Sequence, residues 1–287
     1  MGEQRGFLSD WITQLWVRAT GRRFRREEIR WLEGPAGGPR GVGAAFFDDL
    51  ANRSGLEARR LPAAGLLSGM DELAGPEFDP RLVQPEVSRF YERTAAYELD
   101  VWSQWSGFFR PLGWLLAVLF SRRLQQLNIP LSPLDTSYGM TSEIIQLVAP
   151  DSGQVVCTAW LRRLHGSGHV LYAGTYSVCV PPRATGPCVK VVFPLPNGYA
   201  AVVMRPRVDA EGALTLLSSG EGFGAPGFYF VVHGAGDRAW ARHVRRFREQ
   251  IRVYATGGAL HADHVFRFCG VRFLQLHYRM RVAQPSG

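Results

Sequence analysis

The stretch ALHADHVFRFCGVRFLQLHYRM, residues 259–280, decides the fold. Its apolar residues recur at every second position. Leu260, Ala262, His264, Phe266 and Phe268 fall on one side of an extended chain, and His261, Asp263, Val265 and Arg267 on the other. After Cys269-Gly270 the alternation resumes, with Leu274, Leu276, Tyr278, Met280 and Val282 opposite Phe273, Gln275, His277, Arg279 and Arg281. A period of two is the mark of a half-buried strand. The stretch therefore reads as two strands joined by a tight turn.

The same texture extends back to residue 140. The runs MTSEIIQLV, QVVCTAWLRRL, HVLYAGTYSVCV, CVKVVFPL, YAAVVMRPRV, ALTLLSS, FYFVVH and IRVYA are divided by turn formers such as Asp-Ser-Gly, Asn-Gly and Gly-Gly. These turn residues supply the positive φ that short hairpins need. About ten short strands at this spacing, with no long helical crossovers, predict an antiparallel sheet rather than a parallel nucleotide-binding one. RAWARHVRRFREQ, residues 238–250, reads as one amphipathic helix inserted near the C-terminus, with Trp240, Val244 and Phe247 inward.

Residues 1–135 read differently. FLSDWITQLWVRAT places Phe7, Trp11, Ile12, Leu15 and Trp16 at helical spacing, with Ser9 as N-cap. A short helix ends at Gly55, and a longer one is expected over residues 85–105, opened by Pro85. PLGWLLAVLF, residues 111–120, is too short to span a bilayer and reads as a buried helix, an interfacial helix or a lid over a pocket. The fold expected is α+β: a helical N-terminal segment, residues 1–135, on a large antiparallel β-barrel or strongly curved sheet, residues 136–287, the two forming one integrated unit.

The formal charge of +8 suggests an acidic partner, yet 32 of the 33 basic residues are arginines spread along the chain. A nucleic-acid partner is therefore the weaker alternative. The four cysteines form no CxxC pair, and no secretory leader is visible, which together favour free thiols in the cytoplasm. His261 and His264 point to opposite faces of a regular strand, and HGSGH, residues 165–169, is a turn, so no metal site and no cofactor is expected. Lys190 shares a strand face with Cys188 and reads as a surface lysine.

Closed or half-closed sheets of this size hold apolar ligands. The function expected is binding of a hydrophobic small molecule, of lipid, polyketide or terpenoid type. Phe266, Phe268, Leu276, Tyr278, Met204 and Trp160 are the candidate lining. Glu143 and His264 each interrupt an apolar face, and a carboxylate and an imidazole sharing one cavity would suit proton transfer, isomerisation or cyclisation. The sequence leaves open whether the protein is an enzyme or a carrier. A non-catalytic protein that docks its Trp-rich helices on a membrane surface or a partner protein is the alternative.

Overall fold

The computed structural model describes residues 8–38, 43, 45–105, 140–164 and 170–283. Phe7, the apolar segment 111–120 with its lid role, and the His165/His169 pair lie outside the described residues.

Three α-helices are described: α1 (Leu8–Thr20), α2 (Phe46–Ser54) and α3 (Pro85–Glu92). The strands are β1 (Arg22–Arg25), β2 (Glu57–Arg59), β3 (Tyr97–Trp105), β4 (Met140–Val148), β5 (Val155–Leu164), β6 (Val170–Cys179) and β7 (Cys188–Leu195). The series continues with β8 (Gly198–Val208), β9 (Leu214–Leu217), β10 (Gly227–His233), β11 (Arg238–His243), β12 (Phe247–Thr256), β13 (Ala259–Phe268) and β14 (Val271–Val282).

All ladders between these strands are antiparallel, in the order β2-β4-β5-β6-β7-β8-β9-β12-β13-β14-β3. The sheet is open: β2 and β3 are its two ends, so the described strands do not close into a barrel. The expectation of a barrel is corrected to a large, open antiparallel sheet. β8 is the branch point. Its first half pairs with β10, which carries β11 and β1, and its second half pairs with β9. Pro206 lies past the last β7 pair, Met204 with Val189, so its missing N–H breaks no ladder on that side.

The tight turns follow the sequence. At Gly257-Gly258 both φ angles are positive, 56° and 73°, as a two-residue type I′ hairpin requires. Cys269-Gly270 makes the same turn between β13 and β14, with φ of 52° and 84°.

Two helical expectations are overturned. Residues 238–250 form β11 and the start of β12, not a helix. Buried Ala239, Ala241 and His243 alternate with Trp240 and Arg242, a period of two that the helical spacing of Trp240, Val244 and Phe247 disguises. The helix from Pro85 stops at Glu92, and β3 follows. There Tyr97, Leu99 and Val101 alternate with Glu98, Asp100 and Trp102.

Among the described residues the core has four parts, the smallest being Phe266, Leu274 and Leu276. On the concave side, Ile144, Trp160, Val191, Val202 and Met204 share one cluster with Leu214, Val253, Leu260, Ala262 and Met280 from the far arm of the sheet. Chain from residues 64–97, including Phe90 and Tyr91 of α3, packs against this cluster. On the other side, α2 covers Ile145, Leu147, Ala159 and Leu161. The 3-10 segment Arg26–Leu32 covers Val192, Tyr199, Ala201 and Tyr229.

Lys190 lies in this last layer and is buried, which corrects its reading as a surface lysine. Its Nζ donates to the carbonyls of Trp31, at 3.2 Å, and Glu33, at 2.6 Å. Both faces of β7 are covered, so the polar face of the strand is interior too. Burial pushes the Lys190 pKa down and lifts the thiols of Cys157 and Cys179 to about 11.

Candidate functional site

The concave side carries a cluster of polar side chains. Thr158, Trp160 and Arg162 of β5 alternate onto it, and Arg162 is buried. Its guanidinium carbon stands 3.9 Å from the Trp160 ring centroid, 5.7 Å from that of Tyr172 and 5.6 Å from that of Tyr278. Trp160 is fixed in turn by its indole N–H, which donates to Ser142 Oγ at 2.8 Å. Gly174 of β6 lies opposite Trp160, and a Cβ there would meet the Tyr172 hydroxyl at 3.1 Å and Phe193 at 3.2 Å. A side chain at 174 would crowd the rings that line the site.

Tyr172 and Tyr176 share a hydrogen bond of 2.6 Å between their hydroxyls. Tyr278, on β14 across the concave side, presents its ring to the Arg162 guanidinium. Burial raises the pKa of all three phenols, so they stand neutral as donors and acceptors. Glu249 is near enough to add to that upward push on Tyr176 and Tyr278.

Glu249 belongs to β12 and His264 to β13, and both face inward. His264 Nε2 lies 3.1 Å from Glu249 Oε2, with the two side chains 14% and 9% exposed. The imidazole also lies against Phe266, with ring centroids 3.9 Å apart. Glu249, His264, Arg162 and the three tyrosines thus make one polar cluster on an apolar concave face.

Arg162 is the unusual member. Among the described residues it forms no ion pair with a carboxylate, and its Nε is buried without a hydrogen-bond partner. A buried guanidinium N–H without an acceptor is costly. Contact with the Trp160 face offsets part of that cost. Such a group is suited to hold an anionic or carbonyl oxygen, with tyrosine hydroxyls as further hydrogen-bonding partners.

The residues singled out from sequence are distributed as follows. His264, Phe266, Leu276, Tyr278, Met204 and Trp160 all lie on the concave side. Phe268 is 46% exposed, at the end of β13 beside the Cys269-Gly270 turn. Glu143 is not brought to His264. It lies on the α2 side of β4, bound to Arg60 Nε at 2.6 Å and to a terminal nitrogen of Arg163 at 2.8 Å. The carboxylate that meets the histidine is Glu249. It was hidden because residues 238–250 looked helical, whereas the strand alternation places Phe247, Glu249, Ile251 and Val253 on one face. Arg162 and Tyr172 also went unnoticed. Extending the inward face of Trp160 by two positions would have found Arg162. On the opposite, outer face, Asp263 binds His277 at 2.6 Å and His261 stacks on Tyr254.

No family model matches the chain, and no solved structure matches it. It is similar to the protein named uncharacterized membrane protein YndJ of Bacillus subtilis (strain 168), at 27% identity over 251 residues. That alignment covers 86% of this chain and 43% of the relative, so the chain spans less than half the relative's length. The expected cytoplasmic setting is corrected on this ground, since the relative bears the name of a membrane protein. Among the described residues no helix is long and apolar enough to cross a membrane, which says nothing of strands.

Proposed function

We propose that the chain binds a small, largely apolar molecule with an anionic or carbonyl end on the concave face of its sheet. Arg162 holds the polar end, the Tyr172, Tyr176 and Tyr278 hydroxyls complete its hydrogen bonds, and Phe266 and Leu276 meet the apolar body. The observation that carries this reading is the buried Arg162, its Nε without an acceptor among the described residues, within a ring of aromatic side chains. The His264–Glu249 pair adds a means of accepting or returning a proton beside that end. The name of the Bacillus relative, a membrane protein, supports placing this activity in a membrane-associated protein.

The test is a calorimetric comparison of aliphatic carboxylates with alcohols of equal length, on the wild type and on Arg162→Met. The carboxylates bind the wild type, and Arg162→Met weakens them at least about tenfold, the scale of a lost charge-assisted hydrogen bond. The same variant keeps or raises its melting temperature, because an apolar side chain replaces a buried unpaired charge. Equal binding by both proteins, or collapse of the fold on substitution, would count against a ligand role for Arg162. Following the bound compound over time in wild type and His264→Ala separates turnover from carriage.

A further inference from the structure

α1 turns its apolar side to the solvent. At about 100° per residue, Trp11, Leu15, Ala19, Ile12 and Trp16 occupy an arc of about 140°. Within it Trp11, Ile12, Leu15 and Trp16 are 59%, 61%, 70% and 39% exposed. Val17 projects to the opposite side and is fully buried, and α1 rests there on β10 and β11. The helix is therefore attached by its narrow side. An exposed contiguous patch of large apolar side chains is rare on a soluble monomer and marks a contact surface.

The flank of this patch is basic. Arg18 follows on the same helix, and Arg22 and Arg23 are exposed on β1, the outermost strand of its branch. Arg23 lies opposite Trp240 and stands over its ring with Arg18, on the face that carries α1, whereas Arg22 lies opposite Ala241 and reaches Phe223 on the other face. Arg242 stands 5.9 Å from the Trp16 ring. Arg25 and Arg26 are matched by Glu27 and Glu33, whereas Arg18, Arg22 and Arg23 have no carboxylate partner among the described residues.

We propose that α1 and β1 form a docking surface for an anionic bilayer. The helix lies in the plane of the interface, with Trp11, Ile12, Leu15 and Trp16 among the headgroups and upper acyl chains. Arg18 and Arg23 face the anionic phosphates. Tryptophans next to arginines on a short helix, about 20 Å long, suit this boundary because their rings are amphipathic and the charge is complementary. A second protein surface would need its own apolar patch ringed by acids; the bilayer supplies both at once. The inference rests on α1 and β1 alone and is independent of the concave site.

The experiment is co-sedimentation of the full chain with phosphatidylcholine vesicles, with and without phosphatidylglycerol, at low and high salt. The protein binds the phosphatidylglycerol vesicles, high salt weakens it, and pure phosphatidylcholine binds at least about tenfold more weakly. Trp11→Ser with Leu15→Ser, and separately Arg18→Glu with Arg23→Glu, each lower binding at least about tenfold while circular dichroism stays unchanged. These side chains are exposed, so folding is spared, and the charge pair tests the surface independently of the apolar pair. Arg162→Met leaves vesicle binding as it was. No vesicle binding by the wild type, or binding that neither pair of substitutions weakens, overturns the proposal. A dimer that Trp11→Ser dissolves, without vesicle binding, overturns it in favour of a second copy on this face.

Discussion

His243 is a buried imidazole whose titration contributes to the pH dependence of stability. It stacks on Tyr229, with ring centroids 4.8 Å apart, and its Nδ1 is buried without a partner among the described residues. Burial, aided by Arg245 and Arg242, lowers its pKa from 6.5 to about 4. Between those values the unfolded chain takes up a proton that the folded chain refuses. Its contribution to stability is therefore full above 6.5 and is lost as the pH falls towards 4. His243→Gln removes the titration. Urea midpoints compared at neutral pH and near pH 5 should drop less in the variant than in the wild type. An equal drop would mean that the imidazole titrates normally. Nothing in the string RAWARHVRRFRE announced this environment, because read as a helix it leaves His243 unremarkable. Lys190 was hidden for a related reason: strand alternation sorts side chains into two faces, but not whether both faces are covered.

At the level of elements, the sequence was most legible where turns are tight and alternation is clean. The runs that form β4 to β10, β13 and β14 stand in the sequence as short apolar stretches divided by turn formers. Residues 238–250 were illegible because Arg at five of thirteen positions suits a solvated helix face as well as a strand with one wet side. The helical spacing there conceals Glu249, and Glu143, which the sequence offers in its place, binds Arg60 and Arg163 at the α2 side of β4. Glu143→Gln should lower stability by about 1 kcal/mol in chemical denaturation, since two arginines lose their shared partner. It should leave ligand affinity unchanged. A large loss of affinity with intact folding would return Glu143 to the site.

The whole molecule is a sheet wrapped around its own chain. Residues 64–97 enter the concave side, and Phe90 packs there against Tyr97 and Trp160 with centroids 5.3 and 6.5 Å away. Phe90→Ala should cost about 3 kcal/mol in urea denaturation, as for a large ring removed from a packed core. A loss below about 1 kcal/mol would mean that the segment is only loosely held. This arrangement could not be read from the sequence, because it depends on pairings between distant segments. β3 completes the sheet beside β14, joining residues 97–105 to 274–282, and β8 serves two branches at once. Alternation identifies strands but not their neighbours, so an open branched sheet and a barrel look alike in one dimension. The central claim is that the concave polar cluster is a ligand site. It is tested most directly by native mass spectrometry of the freshly purified full chain, wild type beside Arg162→Met, with solvent extraction of what is bound. A stoichiometric compound with an apolar body and an anionic or carbonyl end, carried by the wild type and absent from Arg162→Met, is the result predicted. The same compound on both proteins, or a wild type that stays ligand-free when offered aliphatic carboxylates, would contradict it.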